Sequence, residues 1–127
     1  MRRCVLVVED DAEIRASVCE LLANEGYHAV GAENGAVALE QLALMLPLPS
    51  LILLDLMMPV KDGFQFRAEQ RRDGRLAHIP VVVMSADPNL RSRHDILDAR
   101  SYIRKPFDIS DLIAIVSSIA RDATSGA

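Results

Sequence analysis

The chain has 127 residues, enough for one domain near the modal size and too few for two full cores. Half of them are hydrophobic and a quarter charged, a globular balance that argues against disorder. The net charge of −4 argues against the basic patch of a duplex DNA binder, but it hides a split: residues 1–60 carry nine acids against three bases, and residues 61–127 carry nine against eleven.

The start, Met1-Arg2-Arg3, has the charge of a signal peptide, yet the apolar run after it ends at Val8 and meets three acids. No apolar stretch approaches a membrane span. Cys4 and Cys19 make neither a disulfide framework nor a zinc site and read as reduced packing residues. These features predict a soluble, cytoplasmic protein without direct nucleic-acid or membrane contact. Residues 1–122 read as one domain and 123–127 as a short polar tail.

The first predicted strand, 4–8, is apolar throughout and runs into Glu9, Asp10 and Asp11. Asp11 suits the N-cap of a helix bearing Ile14, Val18, Leu21 and Leu22, with Gly26 as its stop. A less hydrophobic strand follows at 27–32. Asn34 is an N-cap for a helix with Val37, Leu39 and Leu42, ended by Pro47 and Pro49. The apolar run 51–54 ends at Asp55, and a turn-rich loop through Met57, Pro59, Lys61 and Gly63 leads to a helix bearing Phe64, Phe66, Arg67 and Gln70, closed near Gly74. A fourth apolar run, 80–84, reaches Ser85. Pro88 can start a fourth helix, weakly apolar at Leu90, Ile96 and Leu97. The short strand 102–103 leads to Lys105-Pro106, a candidate cis bond, and Asp108 with Asp111 resembles a capping box before a last helix bearing Leu112, Ile115, Val116 and Ile119.

Strands apolar at every position are buried on both faces, as in a parallel sheet covered by helices. Five strand–helix units with right-handed crossovers predict an α/β, flavodoxin-like doubly wound fold: a five-stranded parallel sheet in the order 2-1-3-4-5. Its site lies at the carboxyl ends of strands 1, 3 and 4. Glu9, Asp10 and Asp55 converge there, Ser85 ends the fourth strand, and Lys105 follows the fifth. Converging carboxylates repel one another, and a hard cation such as Mg2+, with Mn2+ as an alternative, relieves the repulsion. An aspartate beside Mg2+ and an ammonium can attack phosphorus to give an aspartyl phosphate, with metal, ammonium and hydroxyl neutralising the equatorial oxygens. Read singly, each residue has a plainer role as a cap, a turn residue or a solvated lysine. His28, His78 and His94 lie outside these strand ends and read as surface residues, and no glycine-rich phosphate loop supports a nucleotide site.

The pieces VLVVEDD at 5–11, LILLDLMMPVKDGFQF at 51–66, IPVVVMSA at 79–86 and YIRKPF at 102–107 together resemble the receiver domain of two-component response regulators, in the CheY-like superfamily. The resemblance implies that Asp55 accepts a phosphoryl group from a sensor histidine kinase or a histidine phosphotransfer protein in a phosphorelay. It implies that Asp10 ligates Mg2+ directly and Glu9 through water, with Asp55 and the backbone carbonyl of Met57 completing the ligands. Ser85 and Lys105 would contact the phosphoryl oxygens, and Ser85 and Tyr102 would form a conformational switch. A monomer, or a weak dimer through the face of the fourth helix, fifth strand and fifth helix, also follows from it.

Glu9 stands where Asp is commoner in that family, which adds a methylene of reach. Asp98-Ala99 stands where Gly-Ala is frequent, and Asp enters the left-handed region less readily than Gly. The stretch 88–100 is poor in apolar residues, so a short, mobile or shifted helix is expected there.

The expected function is a stand-alone regulator, a relay shuttle or a piece of a larger protein, which catalyses no turnover beyond its own phosphorylation and dephosphorylation. Its downstream target is undefined. A pseudo-receiver acting as a pure interaction module is the alternative. An aspartyl-phosphate phosphatase is disfavoured, because Met57 occupies the place of the second acid that such enzymes need. Arg67, Arg71, Arg72 and Arg75, with Arg91, Arg93, Arg100 and Arg104, suggest either solvated arginines or a basic docking face for an acidic partner.

Overall fold

The computed structural model describes residues 3–87 and 97–125, with side chains to Ala120. Five parallel strands, β1 (Cys4–Val8), β2 (His28–Ala32), β3 (Leu51–Asp55), β4 (Val81–Ser85) and β5 (Ser101–Arg104), form one sheet in the order β2-β1-β3-β4-β5. The described helices are α1 (Ala12–Asn24), α2 (Gly35–Leu44), α3 (Gly63–Arg72) and α4 (Ile109–Ser125). The helix expected from Pro88 lies outside the described residues, as do His94, Arg91 and Arg93.

The uninterrupted apolar runs have the predicted cause. Along β1, Leu6 and Val8 join a core that includes Ala38 and Leu42 of α2 and Phe66 of α3. Val5 and Val7 join the opposite core, with Val18 and Leu22 of α1 and Leu112 and Val116 of α4. Alternate side chains face opposite layers, and both layers are dry. Burial also raises the thiol pKa of Cys4 and of Cys19, in keeping with packing residues; Arg15 partly opposes the shift at Cys19.

Local chemistry sets the boundaries. The Asp11 side chain caps α1 by accepting from the amides of Glu13 and Ile14 at 2.9 and 3.1 Å. Asn34 caps α2 through the amide of Val37 at 2.9 Å. Gly26, at φ +91, turns the chain after α1, a conformation that costs glycine little. The complete capping box belongs to α3, where Asp62 and Gln65 each accept from the other's backbone. At Asp108 it is the backbone carbonyl that accepts, from the Asp111 and Leu112 amides at 3.1 and 3.2 Å.

Burial removes Arg67 from the basic face that the sequence suggested, whereas Arg75 is exposed but held by backbone carbonyls. Arg67 is buried, and its guanidinium donates to Leu97 O, Asp98 O and Gln70 Oε1. The Arg75 guanidinium donates to the carbonyls of Leu42 and Met45, at 2.8 Å each, tying the end of α2 to the loop after α3. An arginine on an amphipathic helix reads as solvated, and carbonyl partners some 30 residues away leave no mark beside it. Asp98 does enter the left-handed region, at φ +46.

Candidate phosphoryl-acceptor site

The strand order places β3 at the centre of the sheet, so its last residue emerges between neighbours and beneath two helical layers. Asp55 is accordingly only 5% exposed. In register it stands opposite Met84, one step past the Val8–Leu54 pair. Glu9, the residue after Val8, is also buried, whereas Asp10 is exposed. One carboxylate oxygen from each of Glu9, Asp10 and Asp55 lies within 4.8 Å of the others.

The ammonium of Lys105 approaches this cluster from the loop after β5. It lies 2.5 Å from Glu9 Oε1 and 3.5 Å from Asp55 Oδ1. The Lys105–Pro106 bond is cis, as the sequence suggested. The Arg15 guanidinium donates to the Glu9 carbonyl at 2.8 Å, which holds the turn from β1 into α1. That anchor was not anticipated: it comes from the first turns of α1, and its partner is a backbone oxygen.

Three acids, two of them buried, against one ammonium carry a clear electrostatic signature. Burial is the largest cause raising the Asp55 carboxyl from 3.8 to about 7. The hydrogen bond to Glu9, its charge and a hydrogen bond with Asp10 act the same way, and Lys105 opposes them. Burial works against the charged form of Lys105, but the hydrogen bond to Glu9 and the charges of Asp55 and Glu9 outweigh it, so its pKa is raised.

Above these groups lies an open depression of about 740 Å³, whose lining includes Glu9, Asp10, Asp55, Met57, Asp62 and Lys105. Asp62 and Asp87 are lining acids that the sequence did not single out; Asp62 had the Asp-x-x-Gln spacing of a capping box as its signal. Met57 is 73% exposed whereas Met58 is buried, so of the two loop methionines only Met58 packs inward. Gly63 is structurally required: a Cβ there would lie 2.7 Å from the Asp55 carbonyl oxygen and 2.8 Å from Leu56 Cα. The loop doubles back against the acid it follows, pinned by the Gly63 amide on Leu56 O at 2.9 Å.

Ser85 ends β4 and its carbonyl accepts from the Lys105 amide at 2.9 Å, while Tyr102 lies on β5. The Ser85 side chain is buried, and its hydroxyl accepts from the Asp87 amide at 3.0 Å. Tyr102, opposite Val83 on β5, accepts from the Ala99 amide at 3.1 Å. His28 and His78 are exposed, as expected. No helix among the described residues is long and apolar enough to cross a membrane.

The donor set suits a hard cation: carboxylate oxygens, an open side toward water, and an unrelieved excess of negative charge. Residues 5–117 match the model of the response regulator receiver domain. The phosphate regulon transcriptional regulatory protein PhoB of Escherichia coli is 40% identical over 123 residues, covering 95% of this chain and 53% of that protein. The sensor histidine kinase TmoS of Ectopseudomonas mendocina is 38% identical over 117 residues, 91% of this chain and 12% of the kinase. The chain thus spans about half, or much less, of these relatives. Among solved structures, the signal receiver domain of a histidine kinase from Syntrophus aciditrophicus matches with a TM-score of 0.86 at 27% identity, covering 94% of this chain and 91% of that one. The chemotaxis protein CheY4 of Vibrio cholerae matches with a TM-score of 0.84 at 25% identity, covering 94% and 99%.

Proposed function

The chain belongs to the response regulator receiver family of two-component signalling, and from that premise we propose that Asp55 is its phosphoacceptor, taking a phosphoryl group from a phosphohistidine of a sensor kinase or phosphotransfer protein. Receiver domains are signalling modules that bind Mg2+ through an acidic pocket. The observation that carries the proposal is the buried Asp55 carboxylate, with Glu9 and Asp10 beside it and the Lys105 ammonium 3.5 Å away.

In the transfer, an Asp55 carboxylate oxygen attacks phosphorus in line with the P–N bond. An O–P bond forms, the P–N bond breaks, and its electron pair returns to the donor imidazole. Asp10, Asp55 and the Met57 carbonyl are the proposed direct holders of Mg2+, with Glu9 acting through water. When bound, the metal supplies positive charge to the phosphoryl oxygens. Lys105 exchanges part of its contact with Glu9 for those oxygens. Ser85 turns its hydroxyl from the Asp87 amide toward them, and Tyr102 moves inward in response. The signal is therefore a local change of charge read out as a change of packing.

The test is intact-mass analysis after incubation with Mg2+ and acetyl phosphate. One phosphoryl adduct is expected in the wild type and none in Asp55→Asn. An adduct retained in Asp55→Asn removes the assignment, and a wild type inert to every donor and metal favours a pure interaction module.

A further inference from the structure

Arg67 and Gln70 are long polar side chains on the face of α3 that an amphipathic helix normally fills with apolar ones, at 8% and 0% exposure. Burial of this kind costs stability unless every group finds a partner. Arg67 Nε donates to Leu97 O and one terminal nitrogen to Asp98 O, both at 2.7 Å; the other donates to Gln70 Oε1 at 2.8 Å. The Gln70 amide nitrogen in turn donates to Leu76 O and Ile79 O at 3.0 and 3.1 Å. One planar fork thus grips two successive carbonyls, which a lysine ammonium cannot do with the same geometry.

The gripped turn leads directly to Tyr102. Asp98 is held at φ +46, with Arg71 of the same helix 3.7 Å from its carboxylate. The next residue, Ala99, donates its amide to the Tyr102 hydroxyl at 3.1 Å. At its other end α3 begins at Gly63, whose amide is bonded to the residue after Asp55. One helix therefore touches both the acid site and the turn that holds Tyr102.

The geometry points to Arg67 as a positioning residue that latches the Leu97–Asp98 turn to α3 and thereby fixes the resting place of the Tyr102 hydroxyl. Inward movement of Tyr102 must give up the Ala99 bond, so the latch biases the chain toward its resting state. That regulatory consequence rests on the proposed function; the latch itself does not.

The test uses the full chain, labelled with 15N and 3-fluorotyrosine, in the wild type, Arg67→Met and Arg67→Lys. Tyr27→Phe assigns the two tyrosine resonances. Amide exchange at Ala99 is read as a ratio to Leu53 in central β3, because general destabilisation speeds both. In both Arg67 variants the ratio is expected to rise roughly tenfold, as charge-assisted bonds are lost. Without any donor, the Tyr102 fluorine resonance should move toward its position in phosphorylated wild type. An unchanged ratio with an unmoved resonance overturns the latch, even if the melting temperature falls. A resonance that moves away from the phosphorylated position overturns the bias. Should Arg67→Met fail to fold, the double variant Arg67→Leu/Gln70→Leu exchanges the buried polar pair for apolar side chains and carries the same readings. A wild type that takes no phosphoryl group refutes the proposed function, whereas the donor-free Ala99 ratio still decides the latch.

Discussion

At the carboxyl rim of the sheet, buried Glu9 and Asp55 crowd against a single ammonium. On α3, the buried Arg67 guanidinium donates to two backbone carbonyls and to Gln70 Oε1, and the Gln70 amide nitrogen donates to two further carbonyls. Both clusters hold ionisable or strongly polar groups away from water, and both draw on distant segments of the chain. They differ in balance. The rim keeps more negative charge than its own residues neutralise, and burial and neighbours raise Asp55 to about 7. The α3 cluster places its donors on carbonyl and amide oxygens already in place. Imbalance suits a site whose partner arrives from outside, and saturation suits a joint.

Deleting one member of each cluster separates the two most strongly. Arg67→Ala should cost about 3 kcal/mol, because it removes three bonds and leaves buried acceptors without them. Urea unfolding measures it, and a loss near zero would place Arg67 among the solvated arginines after all. Asp55→Asn should act in the opposite sense. In chelator at pH 8 it should stabilise the protein by on the order of 1 kcal/mol, as functional sites commonly hold strain.

The sign follows from linkage. The unfolded Asp55 carboxyl ionises near its usual 3.8 and the folded one near 7, so between these values the folded state holds more protons. Its contribution to stability therefore falls as pH rises through that window and is fully unfavourable above it. Melting temperatures of metal-free wild type and Asp55→Asn should converge near pH 4 and separate towards pH 8. Mg2+ should close the gap by stabilising the wild type alone. A gap that narrows with rising pH would refute the account of the rim.

The two clusters also differ in how far the sequence reveals them. The rim was legible because its two buried acids each end a run of apolar residues, and a carboxylate there has few destinations: Val8 precedes Glu9 and Leu54 precedes Asp55. The covered parallel sheet was legible from the same runs, since residues apolar at every position demand two covered faces, and its order followed from right-handed crossovers between five strand–helix units. Arg67 was not legible, because its partners are the carbonyls of Leu97 and Asp98, and backbone oxygens carry no identity in a sequence. Arg15, holding the Glu9 carbonyl, was hidden likewise. What chemistry does through side chains can be read in advance; what it does through the main chain waits for the fold.

The loop between these regions provides the finest test. Val60 is 81% exposed and has φ +66, and the Lys61 amide bonds back to Pro59 O at 2.7 Å. This is a three-residue turn with a β-branched residue at its centre, in a region that L side chains avoid and asparagine tolerates better. No buried contact rewards valine there, so the strain belongs to the turn that returns the chain to Gly63 and against Asp55. Val60→Asn should therefore stabilise the protein by about 0.5 kcal/mol, visible as a higher urea midpoint at unchanged slope. The pH dependence of stability in chelator should stay as in wild type, since the turn holds the loop and not the charge balance. If relieving Val60 also flattens that pH dependence, backbone strain and carboxylate crowding form one device, and the rim cannot be understood from its charges alone.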